Sequence, residues 1–275
     1  MRVSEPPSTP LAGEGHIERA LARAATYRLL GRAFGYPTPP ALEELARLAA
    51  LAGDAPGGVS VVREPLARFA AAARDADPDA VAGEYVFLFD RQVRCPPYES
   101  AYGEAPQMAG KSAALADIAG FYRAFGLTPA ETQPDLEDHI GTELEFMSAL
   151  AFKEAYALAN GHVDGLGVTR DAEARFLAEH LGRWAETFAR EVQEVSPLPY
   201  YTAAAALLAA WIAAETAHLA VTPAVVTGPM PEDPLAADTF SCPMAEGSCD
   251  PGEPTVAPLP SPLGVGGIGG EGGSE

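Results

Sequence analysis

The chain has 275 residues, with 48% hydrophobic and 20% charged side chains, the balance of an ordinary globular protein rather than a disordered or fibrous one. Its formal net charge of −20 argues against nucleic acid and anionic membrane as partners and favours a cationic one. Three cysteines, Cys95, Cys242 and Cys249, are too few and too scattered for a disulfide scaffold, which is the pattern of a cytoplasmic protein.

The first fifteen residues, rich in Pro, Ser and Gly, lack the basic start and apolar run of a signal peptide and read as a disordered segment. Helical periodicity begins at His16, with Ile17, Leu21, Ala24, Tyr27, Leu30 and Phe34 on one side. "GYPTPP" (35–40) ends that helix, because proline removes a donor and clashes with the preceding turn. Further helices are predicted over 41–52 and 62–75. A fourth spans 77–90, with Asp77 as cap and Pro78 in the first helical position.

"RCPPYESAYGEAP" (94–106) then interrupts the helices with no period of its own. Such a loop inside a compact domain is uncommon and is usually functional; a proline-stiffened connector is the plainer reading. Leu115, Ile118, Tyr122 and Phe125 mark the next helix. The longest is predicted over 135–159, with a stripe of Leu136, Ile140, Leu144, Met147, Ala151, Ala155 and Leu158. Asp135 is its natural N-cap, and Glu137 suits the macrodipole of a first turn. His139 gains nothing from that position, which singles it out. Helices at 169–194 and 199–218 complete the set; "AAAALLAAWIAA" (203–214) is too short to span a bilayer and reads as buried. The expected fold class is therefore all-α, a single-domain helical bundle over 16–220.

Residues 221–275 contain ten prolines and ten glycines and read as a flexible acidic tail. Within them "GVGGIG" (264–269) matches a dinucleotide pattern but lacks the strand before it and the helix after it, so no nucleotide site is assigned there. "CPMAEGSC" (242–249) lacks zinc-site spacing, and Glu215–His218 is one Glu-x-x-His motif where a di-iron bundle needs two. No metal, cofactor or catalytic residue is expected. An enzyme using His139 with Glu143 one turn later, or a structural adaptor, stand as the alternatives from other classes.

"EYVFLF" (84–89), "PPYES" (96–100) and "DHIGTELEFM" (138–147) together resemble the redox-enzyme maturation chaperones of the TorD, DmsD and NarJ type, over roughly residues 16–219. The resemblance implies a non-enzymatic helical chaperone. Such proteins hold the catalytic subunit of a molybdopterin oxidoreductase until its cofactor is inserted, and many also bind that subunit's twin-arginine leader before export. The loop looks closest to chaperones of the type II dimethyl sulfoxide reductase group, whose clients include ethylbenzene, dimethyl sulfide, chlorate and selenate enzymes. A nitrate-reductase-type chaperone for a non-exported subunit is the nearest alternative. The family's Asp-His pair falls on Asp138 and His139, its loop on Pro96, Pro97, Tyr98, Glu99 and Ser100, and its aromatic helix on Tyr85, Leu88 and Phe89. The tail and the Cys242/Cys249 pair depart from the family pattern.

A leader with two arginines and an apolar stretch needs carboxylates beside an apolar wall. Asp138 and Glu99 are the expected charges, Tyr85, Tyr98 and Phe146 the wall, and Glu143 a neighbouring acid, with the loop placed against the start of the longest helix.

Overall fold

The computed structural model describes residues 13–103, 108–128 and 136–228. Nine α-helices follow one another among them, and the described residues contain no strand. They are α1 (Glu14–Ala33), α2 (Pro39–Gly53), α3 (Arg63–Arg74), α4 (Pro78–Tyr85), α5 (Met108–Ala124), α6 (Ile140–Asn160), α7 (Val163–Phe176), α8 (Gly182–Val195) and α9 (Pro199–His218). The chain is all-α, as its periodicity requires.

Local signals place most of the boundaries. Thr38 accepts from the Ala41 amide and Pro39 fills the first position of α2. Asp77 caps α4 in the same way through the Asp79 amide, with Pro78 next. Gly161, at φ 66°, closes α6 in the left-handed conformation that only glycine adopts without strain.

The core is built on α1 packed along α6, α2 on α3, α8 on α9 and α3 on α9. Trp184, Trp211, Tyr27, Tyr201, Phe34, Phe69, Phe176 and Phe188 are its largest fully buried apolar side chains. The α1 face differs from the expected stripe: Tyr27, Leu30 and Phe34 are buried, but Leu21 is 43% exposed, and Arg23 faces inward instead. Among the described residues no helix is long and apolar enough to cross a membrane.

Two boundaries and one helical geometry need correction. The predicted helix over 169–194 is one continuous run from Val163 to Val195, in which Leu177–Leu181 forms a π-turn between α7 and α8. The predicted fourth helix likewise ends in a π-turn, Val86–Asp90, where the Arg91 amide reaches back to the Val86 carbonyl. Such an extra residue shifts the helical register without breaking the apolar stripe, so periodicity does not reveal it.

The third concerns the end of the bundle, expected at residue 220. Residues 221–228 lie along α8: the Val226 amide donates to the Arg183 carbonyl at 2.8 Å, and the Thr187 hydroxyl donates to the Val226 carbonyl at 2.6 Å. Val221 and Val226 are partly buried against the core, so a proline-rich segment is held by two valines and the backbone. A chain ending at 220 should therefore melt several degrees below one ending at 228, about 1–2 kcal/mol for these bonds and side chains. Equal melting temperatures by calorimetry would show that the segment contributes nothing to stability. The rest of the tail, with Cys242, Cys249 and "GVGGIG", lies outside the described residues, as do residues 1–12, loop residues 104–107 and the expected cap Asp135.

Candidate functional site

The loop begins where the π-turn ends α4. Leu88 and Phe89 are drawn inward, and the Cys95 amide donates to the Leu88 carbonyl at 3.0 Å. Val93, between them, has φ 45°, an unfavourable conformation for a β-branched residue. Pro97 is buried, while Pro96, Tyr98, Glu99 and Ser100 are half-buried. Tyr102 anchors the far side: its ring lies 5.2 Å from that of Trp184, and its hydroxyl is 3.0 Å from the Pro96 carbonyl and 3.1 Å from a Glu191 carboxylate oxygen.

The loop is clamped to the residues that precede α6. The Ile140 amide donates to the Pro97 carbonyl at 2.8 Å, and the Glu99 amide donates to the Asp138 carbonyl at 2.9 Å. These bonds pair Tyr98 with His139 as an antiparallel bridge. Asp138 Oδ2 accepts from the Ser100 amide at 3.0 Å, capping the short 3₁₀ turn Glu99–Ala101.

This clamp corrects the start of the longest helix. The expected helix from 135 begins instead at Ile140, and Leu136, assigned to its buried stripe, is 46% exposed. His139, whose position the sequence left unexplained, is itself the cap, with its Nδ1 accepting from the Gly141 amide at 3.1 Å. Pairing with the loop holds 138–139 extended, so the helix cannot start earlier whatever its acids prefer. As an acceptor, Nδ1 carries no proton, and the neutral ring holds its hydrogen on Nε2.

Beneath the clamp lie carboxylates. Asp138 and Glu143 are buried, and Glu143 Oε2 accepts from the Trp184 indole at 3.3 Å. Burial pushes the Glu143 carboxyl well above its ordinary value; neighbouring Glu99 pushes it the same way, and the Trp184 bond only partly opposes them. Burial therefore favours the protonated, uncharged form of Glu143. Asp138 Oδ1 and Glu143 Oε1 are buried without a hydrogen-bond partner among the described residues.

Glu99 reaches away from Asp138 to His180, whose Nδ1 is 3.1 Å from Glu99 Oε2. Arg183 lies 3.7 Å from the other Glu99 oxygen, and Asp117 of α5 lies 3.3 Å from His180 Nε2, outside hydrogen-bond alignment. The π-turn Leu177–Leu181 carries His180. His180, Arg183, Trp184 and Asp117 were missed by sequence reasoning. The signal was present: 180, 183 and 184 share one helix face, and a polar pair beside Trp184 on an apolar stripe asks for a partner.

The other expected site residues divide. Tyr98 stays with His139, its ring 5.3 Å away. Leu88, Phe89 and Phe146 are core residues instead: Phe89 packs on Phe34, Phe188 and Tyr201, and Phe146 on Tyr122 and Phe176. Phe146 therefore supplies no open wall, because Tyr122 and Phe176 enclose it. Tyr85 is half-buried against Tyr36 and Phe89. The enzyme alternative pairs His139 with Glu143, but these groups engage different partners, the Gly141 amide and Trp184. Among the described residues no group of three or more His, Cys, Asp or Glu is arranged to hold a metal ion.

The family model described as nitrate reductase delta subunit matches residues 56–190, which span the loop, the start of α6 and His180. A perchlorate reductase assembly chaperone protein of Dechloromonas aromatica is 27% identical over 197 residues, covering 68% of this chain and 85% of the relative. The chaperone protein TorD of Vibrio cholerae is 28% identical over 42% of this chain and half of its own length. A selenate reductase assembly chaperone protein of Thauera selenatis is 33% identical over 30% of this chain and 42% of the relative.

Proposed function

Because the chain belongs to the TorD- and NarJ-type maturation chaperones, we propose that its client is the catalytic subunit of a molybdopterin oxidoreductase of the dimethyl sulfoxide reductase family, held in the cytoplasm during cofactor insertion and assembly. The clamped loop is the client-binding element, and it engages the subunit's twin-arginine leader. One observation carries this reading. Among the described residues, the loop fixed to the head of α6 presents Tyr98, Glu99 and Ser100 partly exposed above a set of carboxyl groups. Relatives named for perchlorate and selenate reductase assembly support a client of that enzyme group.

The roles divide by burial. Glu99, with Arg183 only 3.7 Å away and His180 beside it, is the carboxylate that a client guanidinium can take over by exchange. Asp138, buried, positions the loop through the Ser100 amide, and Glu143 is held beneath it by the Trp184 indole. Tyr98 and Pro96 form the apolar edge, and buried Pro97 fixes it to α6 through the Ile140 amide. A leader's arginines meet a chain of net charge −20, so association is also steered over distance and slows as salt rises.

The test is leader-peptide affinity measured by fluorescence anisotropy at two salt concentrations. Glu99→Gln should weaken binding about tenfold or more, roughly 1.4 kcal/mol, with little change in melting temperature. Asp138→Ala should lower both, since the Ser100 amide loses its buried acceptor at a cost of about 1–3 kcal/mol. Equal affinity for the leader and a scrambled peptide would sink leader recognition. The nitrate reductase description of the matching family favours a second reading, a client subunit that is not exported. Replacing both leader arginines by alanine distinguishes the two, because a non-exported client's N-terminus binds without them.

A further inference from the structure

A groove of about 840 Å³ opens between α1, α2 and α6, away from the clamped loop. Its floor is small: Ala24 on α1, Ala52 on α2 and Ala149 on α6. Its walls are large and open to solvent, with Leu21 43% exposed, Leu51 58% and Phe152 59%. A floor of alanines admits the backbone of an incoming element closely, and leucine and phenylalanine at the edges offer it apolar area.

One end of this groove is basic in a chain that is otherwise strongly acidic. Arg32 donates to both Glu44 oxygens, at 2.9 and 2.6 Å, and Arg28 and Arg47 act on the same carboxylate. Three arginines thus face Glu44, and Glu145 acts on Arg32, in a molecule of net charge −20. Arg28 is exposed and lines the groove itself.

The geometry points to a second docking site, for a short amphipathic helix of another polypeptide that carries an apolar face and an acidic end. Its charge is opposite to that of a twin-arginine leader, so the groove takes a different segment from the one assigned to the clamped loop. The helix would lie over α1 between α2 and α6, with its apolar face on Leu21, Leu51 and Phe152 and its carboxylates on Arg28.

The experiment uses the full chain and a synthetic helical peptide of about 15 residues with leucines at i, i+3, i+4 and i+7 and glutamates at one end. A second peptide has lysines in place of those glutamates. Titration calorimetry should show the glutamate peptide binding about tenfold tighter or more, and Phe152→Asp should abolish that binding. Arg28→Glu should invert the preference between the peptides. The Phe152 side chain is exposed, so its loss leaves folding intact, which a circular dichroism melt checks. Leader binding should be unchanged in Phe152→Asp, which separates this site from the loop. Equal binding of both peptides, or of neither, would overturn the proposal. A concentration-dependent dimer in sedimentation, lost in Phe152→Asp, would overturn it too, since a second copy would then fill the groove.

Discussion

Arg23→Met is expected to destabilise the chain by about 3–5 kcal/mol, because it strands buried carboxylates without their counter-charge. Arg23 is 1% exposed. Its Nε donates to both oxygens of Glu215 at 3.0 and 2.9 Å, one terminal nitrogen reaches Glu154, and Glu173 lies 3.3 Å away. These acids come from α9, α6 and α7, so one guanidinium joins four helices. Arg170 assists from the rim, 2.7 Å from Glu154, and is 48% exposed. A fork of five donors is what such convergence needs; Arg23→Lys keeps the charge but not the fork and should recover only part of the loss. Domains hold about 5–15 kcal/mol in total, so Arg23→Met approaches the threshold of folding. The control is Arg32→Met, whose partner Glu44 is 41% exposed and whose loss should stay within about 1 kcal/mol. Chemical denaturation of the three variants decides it. An Arg23→Met midpoint no lower than that of Arg32→Met would mean that water or repacking compensates the buried acids.

The helices were legible because each buries an apolar stripe, and three-and-four spacing is all that such burial requires. What escaped that reading is tertiary. The start of α6 moved from 135 to Ile140 because the loop's backbone pairs with Asp138 and Ile140, a contact that no local propensity carries. Of the candidate site, the placement of the loop against the start of α6 was legible. Tyr98, Glu99, Ser100, Asp138 and His139 meet as expected, whereas Phe146 and Leu88 obey the apolar periodicity that also made them core. His180 and Asp117 come from elements far from the loop in sequence, and only folding joins them to Glu99. Arg23 shares the α1 face of Tyr27 and Leu30, so its burial could have been asked about. Its three acids lie on three other helices, and their convergence has no sequence pattern.

One of those acids, Glu173, also makes stability depend on pH in a direction opposite to most surface carboxylates. Burial raises the Glu173 carboxyl to about 7 from an ordinary value of 4.5; Arg23 opposes the shift, and Glu154 and Glu215 add to it. A carboxyl raised on folding binds a proton that the unfolded chain has released, so stability is full below about 4.5 and is lost as pH rises through about 7. The separation corresponds to roughly 3 kcal/mol for this one group. Glu143, also raised, acts with the same sign and contributes a separate loss. Glu173→Gln keeps an oxygen for Arg23 and has no proton to lose. Its unfolding free energy should therefore fall less than the parent's between pH 5 and pH 8, by up to about 3 kcal/mol, and the variant should be the more stable of the two at the alkaline end. Urea unfolding at a series of pH values gives both slopes, and Glu143→Gln measured beside it isolates the second acid. If Glu173→Gln leaves the slope untouched while Glu215→Gln flattens it, the shared proton resides on α9 rather than α7, and the assignment to Glu173 is wrong.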